Sequence, residues 1–430
     1  MYLFGEIPAI LNRIMINRRR FFQQTAGTAL AASSLLGEDT TGTAKELAQN
    51  EDYWSQIRNE FTIDRTVINF NNGYASPSPR IVQDAMRRYL DYTNMGPYHT
   101  MVRQLEPKIE MVRRMVAQEA GCDPEELAIT RNASESLEIA QLGVDLKAGD
   151  EVLTTNQDYG RMLVTFEQRV RREGIVLKKI SFPVPAISMD DLYMRFEQAV
   201  TPKTKLILVS HITNLTGQIF PVKRICDMAH AKGITVIVDG AHAFNHFPYK
   251  ISELNCDYYG VSLHKWTFAP VGTGFLYVRK SKIAQTWSMY ASAKSQDGDI
   301  RKFEEVGTHP SANHDAICEA IVFNQNIGIE RKSARLRYLR DRWANELAKN
   351  PKIRILHNPD PAMSCGIGNF GLATGSSRKL SVALEAKYSI YTAPIDHEEY
   401  SGIRVTPSVY STLDDVDYFT NAVQKEVSLL

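Results

Sequence analysis

The segments V-I-V-D-G-A-H-A-F (236–244) and Y-Y-G-V-S-L-H-K-W (258–266), separated by a short polar insert, decide how this chain is read. Each starts as an apolar run of β-branched or aromatic residues and leads to a charge, Asp239 in the first and Lys265 in the second. A carboxylate and an amine at the ends of two buried strands carry a large desolvation cost unless something pairs with both. Two arrangements satisfy them. One is a direct buried ion pair. The other is a cofactor held between the two, since pyridoxal phosphate takes a lysine as its Schiff-base partner and a carboxylate at its pyridine nitrogen.

Outward from this stretch, short apolar runs alternate with segments whose apolar residues recur at helical spacing. The strand-like runs are Leu127–Thr130, Glu151–Thr154, Ile175–Ile180, Lys205–Ser210 and Thr235–Asp239. Between them lie helix-like segments, Ser136–Leu146, Arg161–Glu173, Met189–Val200 and Val222–Lys232. This order predicts an α/β fold, with a mostly parallel sheet sandwiched by helices. In such sheets ligands bind beyond the carboxyl ends of the strands. Those ends carry Arg131-Asn132, Asn156, His211–Asn214, Asp239 and Lys265. Ahead of the first unit, Leu105–Ala120 reads as one helix. From Gly328 a long charged helix, Ile329–Lys349, leads into shorter elements. The expected division is a signal and linker (1–44), a large domain (45–327) and a small C-terminal α+β domain (328–430).

The chain has 430 residues, of which 43% are hydrophobic, enough for two packed domains. Its net charge of +1, with no basic stripe interleaved with aromatics, gives nucleic acid no electrostatic support as a partner. The cysteines at 122, 226, 256, 318 and 365 form no CxxC pair and no metal spacing, so they read as packed or free thiols and no metal site is expected. Near the N-terminus, N-R-R-R-F-F-Q (17–23) precedes T-A-G-T-A-L-A-A-S-S-L-L-G (25–37). The apolar part is too short and too rich in small residues for a stable membrane span. Paired arginines followed by two phenylalanines match the twin-arginine export pattern, and a basic tail is the plainer reading. The expected location is periplasmic or extracytoplasmic. Gly42-Thr43-Ala44 is the nearest small-x-small cleavage candidate, the segment remains a tether if uncleaved, and Met15 is an alternative start.

With these residues in place, the chain resembles the class V aminotransferase family of fold-type-I pyridoxal-phosphate enzymes, and within it the isopenicillin N epimerase-like group, from about residue 65 to the C-terminus. The resemblance implies that Lys265 is the Schiff-base lysine and the base at Cα, and that Asp239 is the carboxylate at the pyridine nitrogen. It places His242, and Asn214 in S-H-I-T-N-L-T-G (210–217), at the cofactor's phenolic oxygen. Ala133 and Ser134, in R-N-A-S-E (131–135), fall at the phosphate, where N–H groups at a helix N-terminus suit a dianion. Ser262 and His264 match phosphate-side positions. Thr308, in E-E-V-G-T-H-P (304–310), matches a loop that reaches the phosphate of a neighbouring subunit, which implies a homodimer with a shared active site. Tyr159, in N-Q-D-Y-G-R (156–161), falls where the family stacks a ring on the pyridine. Arg404, in G-I-R-V-T-P (402–407), matches the arginine that grips a substrate α-carboxylate, and Asn72, in N-N-G-Y (71–74), falls near that pocket. Plainer roles compete at three positions: His242 as a helix-start histidine, Ser134 as an N-cap, Tyr159 as a core aromatic.

The cysteine desulfurase branch of the family needs a nucleophilic cysteine shortly before the carboxylate arginine. The stretch T-A-P-I-D-H-E-E-Y (392–400) holds none, and Cys365 lies earlier, in strand-like Ser364–Leu372. The expected activity is that of a pyridoxal-phosphate enzyme acting on an amino acid or an amino-acid-derived, peptide-like substrate, exported in folded form. Epimerisation, transamination and β-elimination share the same first proton transfer. The residues therefore leave open an epimerase, a transaminase, a lyase of the desulfurase-like branch, and a protein that binds the cofactor without turnover. Neither G-x-S-x-G nor G-x-x-x-x-G-K occurs, which leaves a hydrolase or a P-loop protein without support.

Overall fold

The structure, a computed structural model, describes residues 42–429. The arginine-rich segment and the apolar run after it lie outside these residues. The strands in chain order are β1 (Ile68–Asn69), β2 (Leu127–Thr130), β3 (Glu151–Thr155), β4 (Val176–Ile180), β5 (Thr204–Ser210), β6 (Thr235–Asp239), β7 (Tyr258–Ser262), β8 (Gly274–Val278), β9 (Ile353–Ile355), β10 (Gly368–Leu372), β11 (Ile390–Tyr391), β12 (Ala393–Asp396) and β13 (Ser401–Val405). Seven of them form the main sheet in the order β2-β8-β7-β6-β5-β3-β4. Every pair is parallel except those made by β8, which runs antiparallel to both β7 and β2. The carboxyl ends of β2, β7, β6, β5 and β3 therefore share one edge.

Burial on both faces explains why these strands read as continuous apolar runs rather than alternating ones. In β6, Val236 and Val238 enter one apolar cluster while Ile237 enters the cluster on the opposite face. In β5, Ile207 and Val209 are set against Leu206 and Leu208 in the same way. A second, antiparallel sheet in the order β12-β13-β10-β9 forms the C-terminal layer with the helices Ile329–Leu347, Ser377–Tyr388 and Leu413–Ser428. The chain ahead of the main sheet also contributes there: β1 pairs with β11, and Phe70 is buried in the C-terminal apolar cluster. Buried Arg335 donates to Ala48 O at 2.9 Å and to Ser411 O at 3.1 Å, tying both ends of the described chain to one helix.

Two helix starts differ from expectation by three or more residues, each for a local reason. The helix expected over 105–120 begins at Ile109, preceded by a π-turn segment (Tyr98–Leu105) and a 3-10 turn (Glu106–Lys108). Pro107 supplies no N–H and interrupts the i→i−4 ladder. The helix expected from Ser136 starts at Ala133, because the Asn132 side chain caps it by accepting from Glu135 N at 2.9 Å.

Candidate active site

The shared carboxyl edge of the main sheet opens into a cavity of about 510 Å³, roofed by Arg404 from β13 and by the turn at residues 73–75. Its walls include Ala133, Ser134, Tyr159, Asn214, Asp239, His242, Ser262, His264 and Lys265. Four neighbouring strands supply the wall in sequence: β7 leads to Lys265, β6 ends at Asp239, β5 leads to Asn214 and β3 leads to Tyr159.

Asp239 and Lys265 do not form an ion pair. Asp239 Oδ1 accepts from Ala241 N at 2.9 Å, and burial, relieved in part by that N–H and by the Lys265 charge, pushes its pKa up to about 6. Lys265 Nζ lies 2.9 Å from His242 Nε2. Burial brings its pKa down to about 8, with Asp239 opposing the shift and Arg404 adding to it. A lysine ammonium only donates, so His242 Nε2 accepts and the ring carries its proton on Nδ1, which is buried without a partner. Burial first, then the Lys265 and Arg404 charges, hold His242 far below the usual histidine value, so the ring is neutral.

Arg404 is buried at 6% exposure yet meets no carboxylate. Nη1 donates to Asn214 O at 2.9 Å and Nη2 to Asn71 Oδ1 at 2.7 Å, while Nε has no partner. Burial lowers its pKa to about 10. A buried guanidinium held only by neutral acceptors is set up to receive an anion.

At the opposite end, Ala133 N donates to Ser262 Oγ at 3.0 Å. Because Asn132 provides the cap, Ser134 is released from that task, and neither its N–H nor its hydroxyl has a partner among the described residues. His264 sits beside this end, with Nδ1 unpartnered; burial and the Lys265 charge hold it down to about 4. Free N–H and O–H donors in the first turn of an 11-residue helix make an anion cradle.

Two expected site residues fall outside the cavity. Asn72 is fully buried, and both ends of its amide are used: Nδ2 donates to Asn69 O and Thr406 O, each at 2.9 Å, and Oδ1 accepts from Tyr410 Oη at 2.6 Å. Its neighbour Asn71 is the residue that meets Arg404, and neither asparagine lines the cavity. Thr308 is exposed on its loop, away from the cavity of this chain. Sequence reasoning missed the turn of Gly73, Tyr74 and Ala75. A Cβ at Gly73 would sit 3.4 Å from Arg404 Cζ and 3.5 Å from His242 Cε1. The N-N-G-Y turn signal marked the place, but nothing in it pointed inward.

The donor set fits pyridoxal phosphate. A carboxylate and an amine face the same space without pairing, an anion cradle lies at one end, and an anion-seeking guanidinium lies at the other. A larger hollow of about 760 Å³ under Trp287 lacks this character, since its buried amine Lys302 is already satisfied by Ile283 O at 2.7 Å and Asp297 O at 2.9 Å.

Residues 67–419 match the family described as aminotransferase class-V. The chain belongs to this family. It is 27% identical over 387 residues to isopenicillin N epimerase of Streptomyces clavuligerus, covering 86% of this chain and 97% of that protein. It is likewise 27% identical to a probable cysteine desulfurase of Vibrio cholerae, covering 87% of this chain and 98% of that one. Among solved structures, the cysteine desulfurase of Thermococcus onnurineus superposes with a TM-score of 0.77 at 24% identity over 89% of this chain and 98% of its own, which shows the same fold. The protein is a pyridoxal-phosphate-dependent enzyme of this class V family.

Proposed function

We propose that this enzyme binds α-amino carboxylates, amino acids or amino-terminated peptide-like molecules, and inverts configuration at Cα in the manner of an epimerase. The observation that carries the reading is the pairing of an unmatched buried guanidinium, Arg404, with a lysine at about 8, Lys265, in one cavity. The cofactor, when bound, supplies an electron sink that makes the Cα proton removable. Arg404 holds the substrate carboxylate by a forked contact and so fixes Cα over the cavity floor. Lys265, lowered by burial, takes the proton from one face of Cα near neutral pH, with neutral His242 at 2.9 Å as its hydrogen-bond acceptor, and inversion requires a second acid that returns a proton to the opposite face. Asp239 would hold the pyridine nitrogen protonated, and Ser134, Ser262, His264 and the Ala133 turn would hold the phosphate. Tyr159, 41% exposed at the far wall, would cover the ring.

The thiols support an epimerase over a desulfurase. None of the five cysteines lines the cavity, and burial pushes each above its ordinary value, Cys122 and Cys318 up to about 12. The reading includes a homodimer, in which a second copy brings its Thr308 to the phosphate end. Exposed apolar groups at the cavity mouth, Tyr74 at 77% and Val271 at 68%, favour such a cover. It also includes twin-arginine export, supported by the sequence at 17–23.

The test is incubation of the loaded enzyme in D2O with single enantiomers of amino acids and amino-terminated peptides. Deuterium uptake at Cα together with loss of optical purity supports the epimerase. Formation of a 2-oxo acid, or of an elimination product, would replace it with the transaminase or the lyase.

A further inference from the structure

Behind the cavity, a lysine that no step above uses is buried against the chain that follows Lys265. Lys332, on the helix Ile329–Leu347, is 1% exposed and forms no ion pair among the described residues. Its Nζ donates to Asn324 Oδ1 at 2.6 Å and to Trp266 O, and lies 4.0 Å from the centre of the Phe268 ring. Asn324, itself buried on the helix Ile317–Ile327, donates from Nδ2 to Thr267 O at 2.7 Å. The two carbonyls immediately after Lys265 are thus both fastened to C-terminal helices.

The turn they hold needs an outside restraint. Phe268 has φ of +62°, in the left-handed region that a bulky residue enters only under strain. The same brace reaches Lys265 by a second route. Trp266 stacks on His246 with centroids 3.8 Å apart and planes 6° apart. His246 Nε2 accepts from Gly366 N at 2.8 Å, which leaves Nδ1 to donate to His242 O at 2.7 Å. His242 is the residue whose Nε2 meets Lys265 Nζ. The links Lys332–Trp266–His246–His242–Lys265 close a ring around the catalytic amine. Burial holds Lys332 well below the ordinary lysine value, and its amine carries a donor for each of the two acceptors.

We propose that Lys332, with Asn324, is a positioning residue: it fixes the Lys265–Phe268 turn so that the Lys265 amine stays buried against His242 and faces the cavity. This rests on the reading of Lys265 as the catalytic amine. The test compares the full-length chain with Lys332→Met, which keeps the length and removes both donors, and with the milder Asn324→Ala. Acylation of Lys265 by acetic anhydride, followed by peptide mass against pH, reads the amine in the cofactor-free protein. In the native chain the midpoint is expected near 8. A loosened turn lets water reach the amine, so Lys332→Met raises the midpoint by about one pH unit, and Asn324→Ala by less. With pyridoxal phosphate added, the pH midpoint of the bound-cofactor absorbance moves as well, and kcat falls on the order of tenfold with KM little changed. Native midpoints in both variants, with only a lower Tm, would overturn the proposal and leave Lys332 as packing. Should Lys332→Met fail to fold, Asn324→Ala decides alone. A native chain that takes up no pyridoxal phosphate would instead defeat the proposed function, while the acylation profile still decides the brace.

Discussion

Two buried aspartates stand at the carboxyl edge of the same sheet, and they differ in what surrounds them. Asp158, just past β3, accepts five hydrogen bonds, from Thr154 Oγ1, Thr155 N, Thr155 Oγ1, Ser210 N and Ser210 Oγ, at 2.7–2.8 Å. Asp239, at the end of β6, accepts one on its side chain, from Ala241 N. The cations divide in the same way. Arg113 is fully buried and bonded to Glu110 and Glu304, whereas Arg404 is nearly as buried and meets only neutral oxygens. Burial alone does not mark a site. Satisfied burial builds the scaffold, and unsatisfied burial facing a cavity is capacity kept for a ligand.

The sharpest way to break this comparison is at the amine. Lys265→Ala should lose turnover by on the order of a thousandfold or more, because the base and the covalent anchor go together. Steady-state rates with any substrate found in the D2O screen measure it. Next come the two aspartates, which should fail in opposite ways. Asp239→Asn keeps the fold and loses on the order of a hundredfold in turnover, since the neutral amide no longer holds the pyridine nitrogen protonated. Asp158→Asn puts an NH2 against donors and should cost about 2–3 kcal/mol in stability, read by denaturant unfolding, while cofactor capture persists. If the two variants behaved alike, the distinction between scaffold and site would fall.

Arg404→Lys is expected to raise KM for an α-amino carboxylate on the order of tenfold, because a point charge cannot fork onto both oxygens. Substrates with a blocked carboxylate should show no such difference. The smallest effect is on stability. The folded pKa of Lys265, about 8, lies below the ordinary lysine value of 10.5, so the unfolded chain holds this proton more tightly. The penalty is therefore full below pH 8 and fades as pH rises toward 10.5. Lys265→Met should stabilise the cofactor-free protein by roughly 1 kcal/mol at pH 7, with the gain shrinking above pH 8 in thermal melts.

Much of the site could be read from sequence because a parallel sheet places its strand ends together. Once the alternation of 127–239 is read as βαβ units, Asp239 and Asn214 share an edge, the family resemblance adds Ser134 and Tyr159, and the structure puts all four in one cavity. What stayed hidden depends on contacts across the chain. Whether Asn71 or Asn72 meets Arg404 is decided by Thr406 and Tyr410, more than 300 positions away. Lys332 sits in I-E-R-K-S-A-R-L-R (329–337), which reads as a solvated charged face; only the packing of Trp266 and Phe268 beneath that helix buries it. The helix start at Ala133 was hidden because the cap is Asn132, four positions before the expected first residue.

The most direct test of the central claim is to mix the purified chain with pyridoxal phosphate, reduce it with borohydride and map the modified peptide by mass. The account predicts one phosphopyridoxyl addition, on Lys265, with Lys265→Ala left unmodified. Modification at another lysine such as Lys332, or none at all, would contradict it and return Asp239 and Lys265 to a purely structural role.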